Sequence, residues 1–205
     1  MTAPADRDTA RLPTVVLASA SPQRRMLLDA AGIPVTVVAS GVDETVAASV
    51  APEHAVVDLA RRKAEAVLSR LREPAWLVAA DTTIVIGAER IGKPPDRAAA
   101  RSILHRLAGT DHAVITGVAV APPGGVLRTA LDRTVVTFAA LSAAEVEWYL
   151  DTGEWRGAAG GYRIQGRAAL VTTSLHGSWS NVVGLPLATI YRMLAQHGYP
   201  FQDPR

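Results

Sequence analysis

Short apolar runs alternate along the chain with longer stretches in which apolar residues recur at helical spacing, a pattern that predicts an α/β fold. Thr14–Ala18 is β-branched and apolar and reads as a buried strand. Ser21 and Pro22 then supply an N-cap and a first helical residue, opening a helix through Leu27, Leu28 and Ala31 that stops at Gly32. Pro34–Ala39 is the next strand, and a polar loop, Ser40–Ser49, carries Asp43 and Glu44. From Pro52 to Arg72 the positions Val56, Leu59, Ala60, Val67 and Leu71 repeat with the period of a helix, and Lys63 falls on that same face. Trp76–Ala80 is a strand that runs into Asp81, Thr82 and Thr83, with Ile84–Ile86 as its possible continuation.

Beyond it, Gly92–Pro95 reads as a loop and Asp96 as the cap of a helix ending near Leu107–Gly109. Val114–Ala121 and Val126–Phe138 are long enough for antiparallel strands joined across Pro122–Gly125. Ser142 and Glu145 form a capping box for a helix that ends at Gly153. Gly153–Gly166 holds five glycines in fourteen residues, so its backbone must pass close to something. Ala169–Leu175 reads as a last core strand and Leu185–Gln196 as a last helix, closed by Gly198. The long hairpin favours a mixed sheet over a purely parallel one. With no repeat and no linker, residues 13–205 read as one domain behind a polar, disordered extension over residues 1–12.

Composition narrows the choice of function. The chain has 205 residues, 49% of them apolar, enough for a sizeable core. Its formal charge is only +2 and aromatic residues make up 5%, so neither nucleic acid nor an anionic membrane is an expected partner. The absence of cysteine removes disulfide scaffolds, thiolate metal sites and cysteine nucleophiles. The N-terminus has no signal-peptide pattern, and no apolar run approaches the roughly 20 residues of a membrane span. A cytoplasmic globular protein is the expectation.

Four places could carry chemistry. The first is the strand–turn–helix around Ser19, Ser21, Arg24 and Arg25, where free helix N–H groups, hydroxyls and guanidinium forks would suit phosphate. An ordinary Ser-Pro cap followed by two solvated arginines fits the same residues. The second is Asp81 at a strand end, placed as a magnesium ligand or a general base for water, with Glu44 as a second oxygen ligand; a turn cap and a solvated glutamate are the plain alternatives. The third is the pair Lys63 and Lys93, the only lysines beside nineteen arginines. The fourth is Gln165, whose amide could read a base edge or face water. No dinucleotide-binding glycine fingerprint, Walker loop, nucleophile elbow or spaced histidine cluster is present.

The ordered set Leu17-Ala-Ser-Ala-Ser-Pro-Gln-Arg-Arg25, Gly41-Val-Asp-Glu44, Leu59-Ala-Arg-Arg-Lys63, Ala80-Asp-Thr82, Gly92-Lys-Pro94, His112 through Thr116-Gly-Val118, Tyr162-Arg-Ile-Gln-Gly166 and Gly177–Pro186 resembles the Maf family of nucleoside triphosphate pyrophosphatases. The resemblance runs from Thr14 to the last helix. It implies an elongated mixed β-sheet flanked by helices, with the inosine triphosphatase-like architecture, as a homodimer. The implied activity is hydrolysis of a nucleoside triphosphate to monophosphate and pyrophosphate with a divalent cation, Mg²⁺ or Mn²⁺. Asp81 falls on the family's proton acceptor. The other pocket residues fall on Ser19, Ser21, Gln23, Arg24, Glu44, Lys63, Thr82, Lys93 and Gln165, with Lys63 and Lys93 beside Asp81 in the catalytic set and Glu44 and Asp81 as metal ligands. The family name also allows a second expectation, a nucleotide-binding regulator of septation with weak catalysis.

Two positions depart from the pattern. Branches resembling dTTP/UTP pyrophosphatases usually carry Arg after the Ser-Pro pair, and the branch acting on 7-methyl-GTP typically Trp; this chain has Gln23, while Thr82 and Gln165 agree with the dTTP/UTP branch. Ala158 stands where the family places a lysine, leaving Arg156 and Arg163 as the nearby cations.

Overall fold

The structure is a computed structural model that describes residues 12–47 and 49–201. The expected extension lies outside those residues except for Leu12, which packs against the core.

Seven strands among the described residues form one mixed sheet in the order β2-β1-β3-β5-β6-β7, with β4 attached to β3. In chain order the elements are β1 (Val15–Leu17), α1 (Pro22–Ala30), β2 (Val35–Val37), α2 (Pro52–Leu68), β3 (Trp76–Ile86) and β4 (Glu89–Ile91). They continue with α3 (Arg97–Leu107), β5 (Asp111–Ala121), β6 (Arg128–Phe138), α4 (Ala143–Asp151), β7 (Thr172–His176), α5 (Trp179–Val183) and α6 (Leu187–Gln196). β1 pairs in parallel with β2 and β3, and every other pairing is antiparallel.

The period-2 pattern of the central strands sorts the core into two faces. Val15, Leu17, Trp76, Val78, Ala80, Val118 and Val120 face α1 and α6, meeting Leu27, Leu28, Ile190 and Leu194. Val16, Ala18, Leu77, Ala79 and Ala119 face α2, meeting Ala60, Ala64 and Val67. A further cluster, built on Ile84, Val114, Val136 and Phe138, packs under α3 and α4.

Most expected elements are present. Asp96 caps α3 by accepting from the Ala99 amide, and the Ser142–Glu145 capping box is formed at α4. Differences fall at boundaries and in short pieces. α2 stops at Leu68, so Leu71 packs from beyond the helix. β7 begins only at Thr172 and is half exposed, because it lies at the edge of the sheet, where one flank has no partner strand among the described residues; it is not a core strand. β4 and α5, three and five residues long, are too short to display a period.

The feature that matters for the site is an interruption beside β3. β1 pairs with its first residues, Trp76–Val78, and β4 with its last, Ile84–Ile86. Among the described residues, Ala79–Thr83 have a neighbouring strand, β5, on one flank only. Burial relaxes at that point, with Asp81, Thr82 and Thr83 partly exposed inside an otherwise buried strand.

Candidate active site

Chain direction alone brings the turn after β1 to this opening. After Ala18 donates to the Val78 carbonyl (2.8 Å), the chain leaves the sheet and enters α1. Ser21 occupies the N-cap position, but its hydroxyl does not cap the helix and donates to Gln23 Oε1 (3.2 Å). Ser19 Oγ accepts from the Ser21 amide (3.2 Å) and from Arg24 Nη1 (3.0 Å), which leaves its own proton to be donated.

Arg24 is buried, and its fork is engaged inside the protein. Besides Ser19, it donates from Nε to the Gly184 carbonyl (2.8 Å) and from Nη2 to Thr82 Oγ1 (3.1 Å). Thr82 Oγ1 in turn lies 3.0 Å from Thr116 Oγ1. Burial pulls the guanidinium below its ordinary value, opposed by the charges of Asp81 and Glu44. Arg24 therefore ties α1, β3 and the α5–α6 turn together while adding positive charge to the wall. Arg25, by contrast, points to solvent and pairs with Asp29 (3.4 Å). It does not join the site.

α2 delivers Lys63. Gly117, the β5 partner of Asp81, sits directly under the helix: a Cβ there would lie 2.3 Å from the Val56 carbonyl oxygen. That close approach, with Ala60 and Ala64 as small neighbours, lets Lys63 run from the apolar face of α2 to Asp81. Its Nζ lies 2.6 Å from Asp81 Oδ1 and 2.7 Å from Glu44 Oε1, and its side chain is 5% exposed. Glu44, on the loop after β2, is 54% exposed. Burial pushes its carboxyl upward, but the hydrogen bond and charge of Lys63, with Lys93 and Arg24, outweigh this and hold it below the ordinary carboxylate range.

The glycine-rich loop closes the other wall. Gly160 has φ +67°, and a Cβ there would meet Ile84 Cδ1 at 2.1 Å; its amide donates to the Gly92 carbonyl (2.9 Å). The segment does pass close to something, namely β3 and the loop of Lys93. Tyr162 anchors it through His112 Nε2 (2.8 Å), with both side chains buried.

The result is a cleft of about 1130 Å³ lined by Ser19, Ser21, Gln23, Arg24, Glu44, Lys63, Asp81, Thr82, Lys93 and Gln165, so that of the site residues expected from the sequence only Arg25 stands outside it. Lys93 and Gln165 are exposed on its rim. Sequence reasoning missed Arg90, which lines the cleft from β4 and donates to the Val46 and Ala47 carbonyls (3.0 and 3.1 Å), bracing the loop of Glu44. Ala158 also lines the cleft. Arg163 borders it, but its guanidinium donates to the Glu154 and Arg156 carbonyls (3.0 and 2.9 Å), and Arg156 stacks on Trp155. Neither arginine takes the place of a lysine at 158.

Glu44 and Asp81 converge on one cationic point, as the oxygen ligands of a hard cation do. No group of three or more His, Asp or Glu side chains suited to a metal occurs among the described residues, so a cation here would find two carboxylates and would need water and substrate for the rest of its shell. That donor set fits Mg²⁺ or Mn²⁺ carried with phosphates.

A mixed α/β sheet with a cationic, carboxylate-bearing cleft at an interrupted strand defines a domain that receives a phosphorylated ligand. The chain belongs to the Maf family: the family model described as Maf-like protein matches residues 14–197. A dTTP/UTP pyrophosphatase of Myxococcus xanthus is 48% identical over 186 residues, covering 91% of this chain and 93% of its own. One from Symbiobacterium thermophilum is 46% identical over 187 residues, covering 91% and 95%. The solved structure of the Staphylococcus aureus Ham1 protein matches 90% of this chain and 99% of its own with a TM-score of 0.51 at 11% identity. That likeness is one of fold and agrees with the expected inosine triphosphatase-like architecture. No helix among the described residues is long and apolar enough to cross a membrane.

Proposed function

We propose that this protein is a nucleoside triphosphate pyrophosphatase that acts on dTTP and UTP, or on a broader set that includes them, and releases the monophosphate and pyrophosphate. The observation that carries the reading is the convergence, in one cleft, of Asp81, Lys63, Lys93 and the Ser19–Arg24 turn, drawn from four separate segments. The names of the two enzymes above point the same way. The regulator reading is not favoured, since the relatives that match over nine-tenths of the chain are named as pyrophosphatases.

Asp81 accepts the proton of the water that attacks the α-phosphorus. Its Oδ1 takes Lys63, and among the described residues its Oδ2 takes no hydrogen bond, so that oxygen can hold the proton. As the new P–O bond forms, the bond to the bridging oxygen breaks and pyrophosphate leaves with the electron pair. Lys63 and Lys93 stabilise the charge that gathers on it, and Arg24 adds to the field from the wall. Glu44 and Asp81 would hold the divalent cation, which when bound neutralises phosphate charge. Ser19, Ser21, Gln23, Thr82 and Gln165 orient the nucleotide, with Gln165 on the rim toward the base. The same reading takes residues 13–205 as one domain, two copies as the working unit, and the cytoplasm, where triphosphates are made, as its place.

The test is pyrophosphate release from a panel of triphosphates with Mg²⁺ or Mn²⁺. Wild-type protein should release pyrophosphate from dTTP and UTP, and Asp81→Asn should lose at least about 100-fold in kcat. Orthophosphate as the only product, or an unimpaired Asp81→Asn, overturns the reading.

A further inference from the structure

We infer that Lys63 is a resident counter-ion that keeps a divalent cation out of the Glu44–Asp81 pair until a triphosphate brings one in. The inference rests on the hydrolytic reading for the identity of the ligand, and on the geometry for the rest.

Both carboxylates that a cation would use already converge on one ammonium, at 2.6 and 2.7 Å. That ammonium cannot withdraw to water. Lys63 lies in the middle of α2 between Ala60 and Ala64, on the face packed against the sheet, and only 5% of its side chain is exposed. Asp81 is equally fixed, within β3 and opposite Gly117. Of the three groups, only Glu44 sits on a loop with its side chain more than half exposed, so Glu44 is the partner able to turn.

Charge decides the order of events. In the immediate cluster the cations Arg24, Lys63 and Lys93 face two carboxylates, and Glu44 senses all three. A bare divalent ion would enter a region whose three cations already exceed its two carboxylates, and would have to share both ligands with an ammonium in contact with them, so its attraction to the pair is offset by repulsion from Lys63. Mg²⁺ also sheds water reluctantly and favours sites in which phosphates complete its shell. A bound triphosphate reverses the sign of the region. It also gives Lys63 a partner: two of its three N–H donors face carboxylates, and the third, which has no partner among the described residues, can donate to a phosphate oxygen. Glu44 can then release Lys63 for the incoming cation, while Lys63 keeps its bond to Asp81.

The experiment is Mn²⁺ binding to the full chain, followed by electron paramagnetic resonance and water-proton relaxation, with and without an α,β-methylene analogue of dTTP. Mn²⁺ with the analogue alone serves as the reference. Wild-type protein alone should leave the Mn²⁺ signal at its free intensity; with the analogue, relaxation enhancement should exceed the reference. Lys63→Met should bind Mn²⁺ without nucleotide at least about tenfold more tightly than wild type, and Lys63→Arg, which keeps the charge, should behave as wild type. Wild-type protein that binds Mn²⁺ equally well with and without the analogue overturns the inference. So does a folded Lys63→Met that gains no affinity. The wild-type titration stands by itself if Lys63→Met fails to fold. These outcomes are read without turnover, so a protein that behaves as expected here yet releases no pyrophosphate overturns the hydrolytic reading alone.

Discussion

Lys63 and Lys93 were readable from the sequence because they are rare, two lysines beside nineteen arginines. Their surroundings were not. Lys63 is an interior group tied to two carboxylates, whereas Lys93 stands exposed on a rim loop. Lys93→Ala should therefore lower kcat on dTTP by about 10- to 100-fold, the loss of one charge-stabilising group, and leave the melting temperature unchanged. Arg24 was readable as a cation but not as a strut, since its partners Thr82 and Gly184 are 58 and 160 residues away in sequence. His112 belongs to the ordered motifs, but its burial against Tyr162 has no sign in the sequence. Burial pushes its pKa down to about 4, and among the described residues its Nδ1 has no hydrogen-bond partner. The unfolded chain binds a proton below about 6.5, where the folded chain does not until about 4, so stability falls as pH drops through that window. The loss should approach about 3 kcal/mol by pH 4, measured by urea unfolding, and should shrink in His112→Phe.

Among the elements, the long ones followed their periodicity and the short ones did not. α2 shows why a helix can be found while its task is not. Its apolar spacing was plain, but its approach to the sheet depends on Gly117, a glycine inside a strand with no local sign of what it meets. Gly117→Ala should push the helix outward at Val56. We expect a loss of about 3 kcal/mol in unfolding free energy, from overpacking. A fall in kcat on dTTP should accompany it, as Lys63 is drawn from Asp81; an unchanged melt and full turnover would show the helix free to yield. Arg90 was hidden because β4 has three residues, and the edge position of β7 because apolar content alone cannot tell a rim strand from a central one. The glycine-rich loop was the opposite case: five glycines announced a close approach, which is Gly160 against Ile84.

Across the whole molecule, the net charge of +2 concealed a local excess of cations that only folding assembles. Occupation of the cleft should draw α1, α2 and the glycine-rich loop onto one ligand. At 100 times its dissociation constant, the α,β-methylene analogue with Mg²⁺ should add about 2.7 kcal/mol and raise the melting temperature by roughly 5–10 °C in a thermal scan. Mg²⁺ alone should leave it in place.

The interruption beside β3 has an implication for how this molecule can change. On the hydrolytic reading the proposed base, Asp81, is seated on a strand held at both ends, while Gln23 and Gln165, the amides proposed to meet the nucleoside, sit on a helix's first turn and a loop. On that reading cutting and part of the choosing are housed on separate supports, Thr82 being the one choosing residue that shares the strand of Asp81. Descendants of this chain could then alter base preference by rewriting those two segments while leaving the stiff bed beneath Asp81 in place.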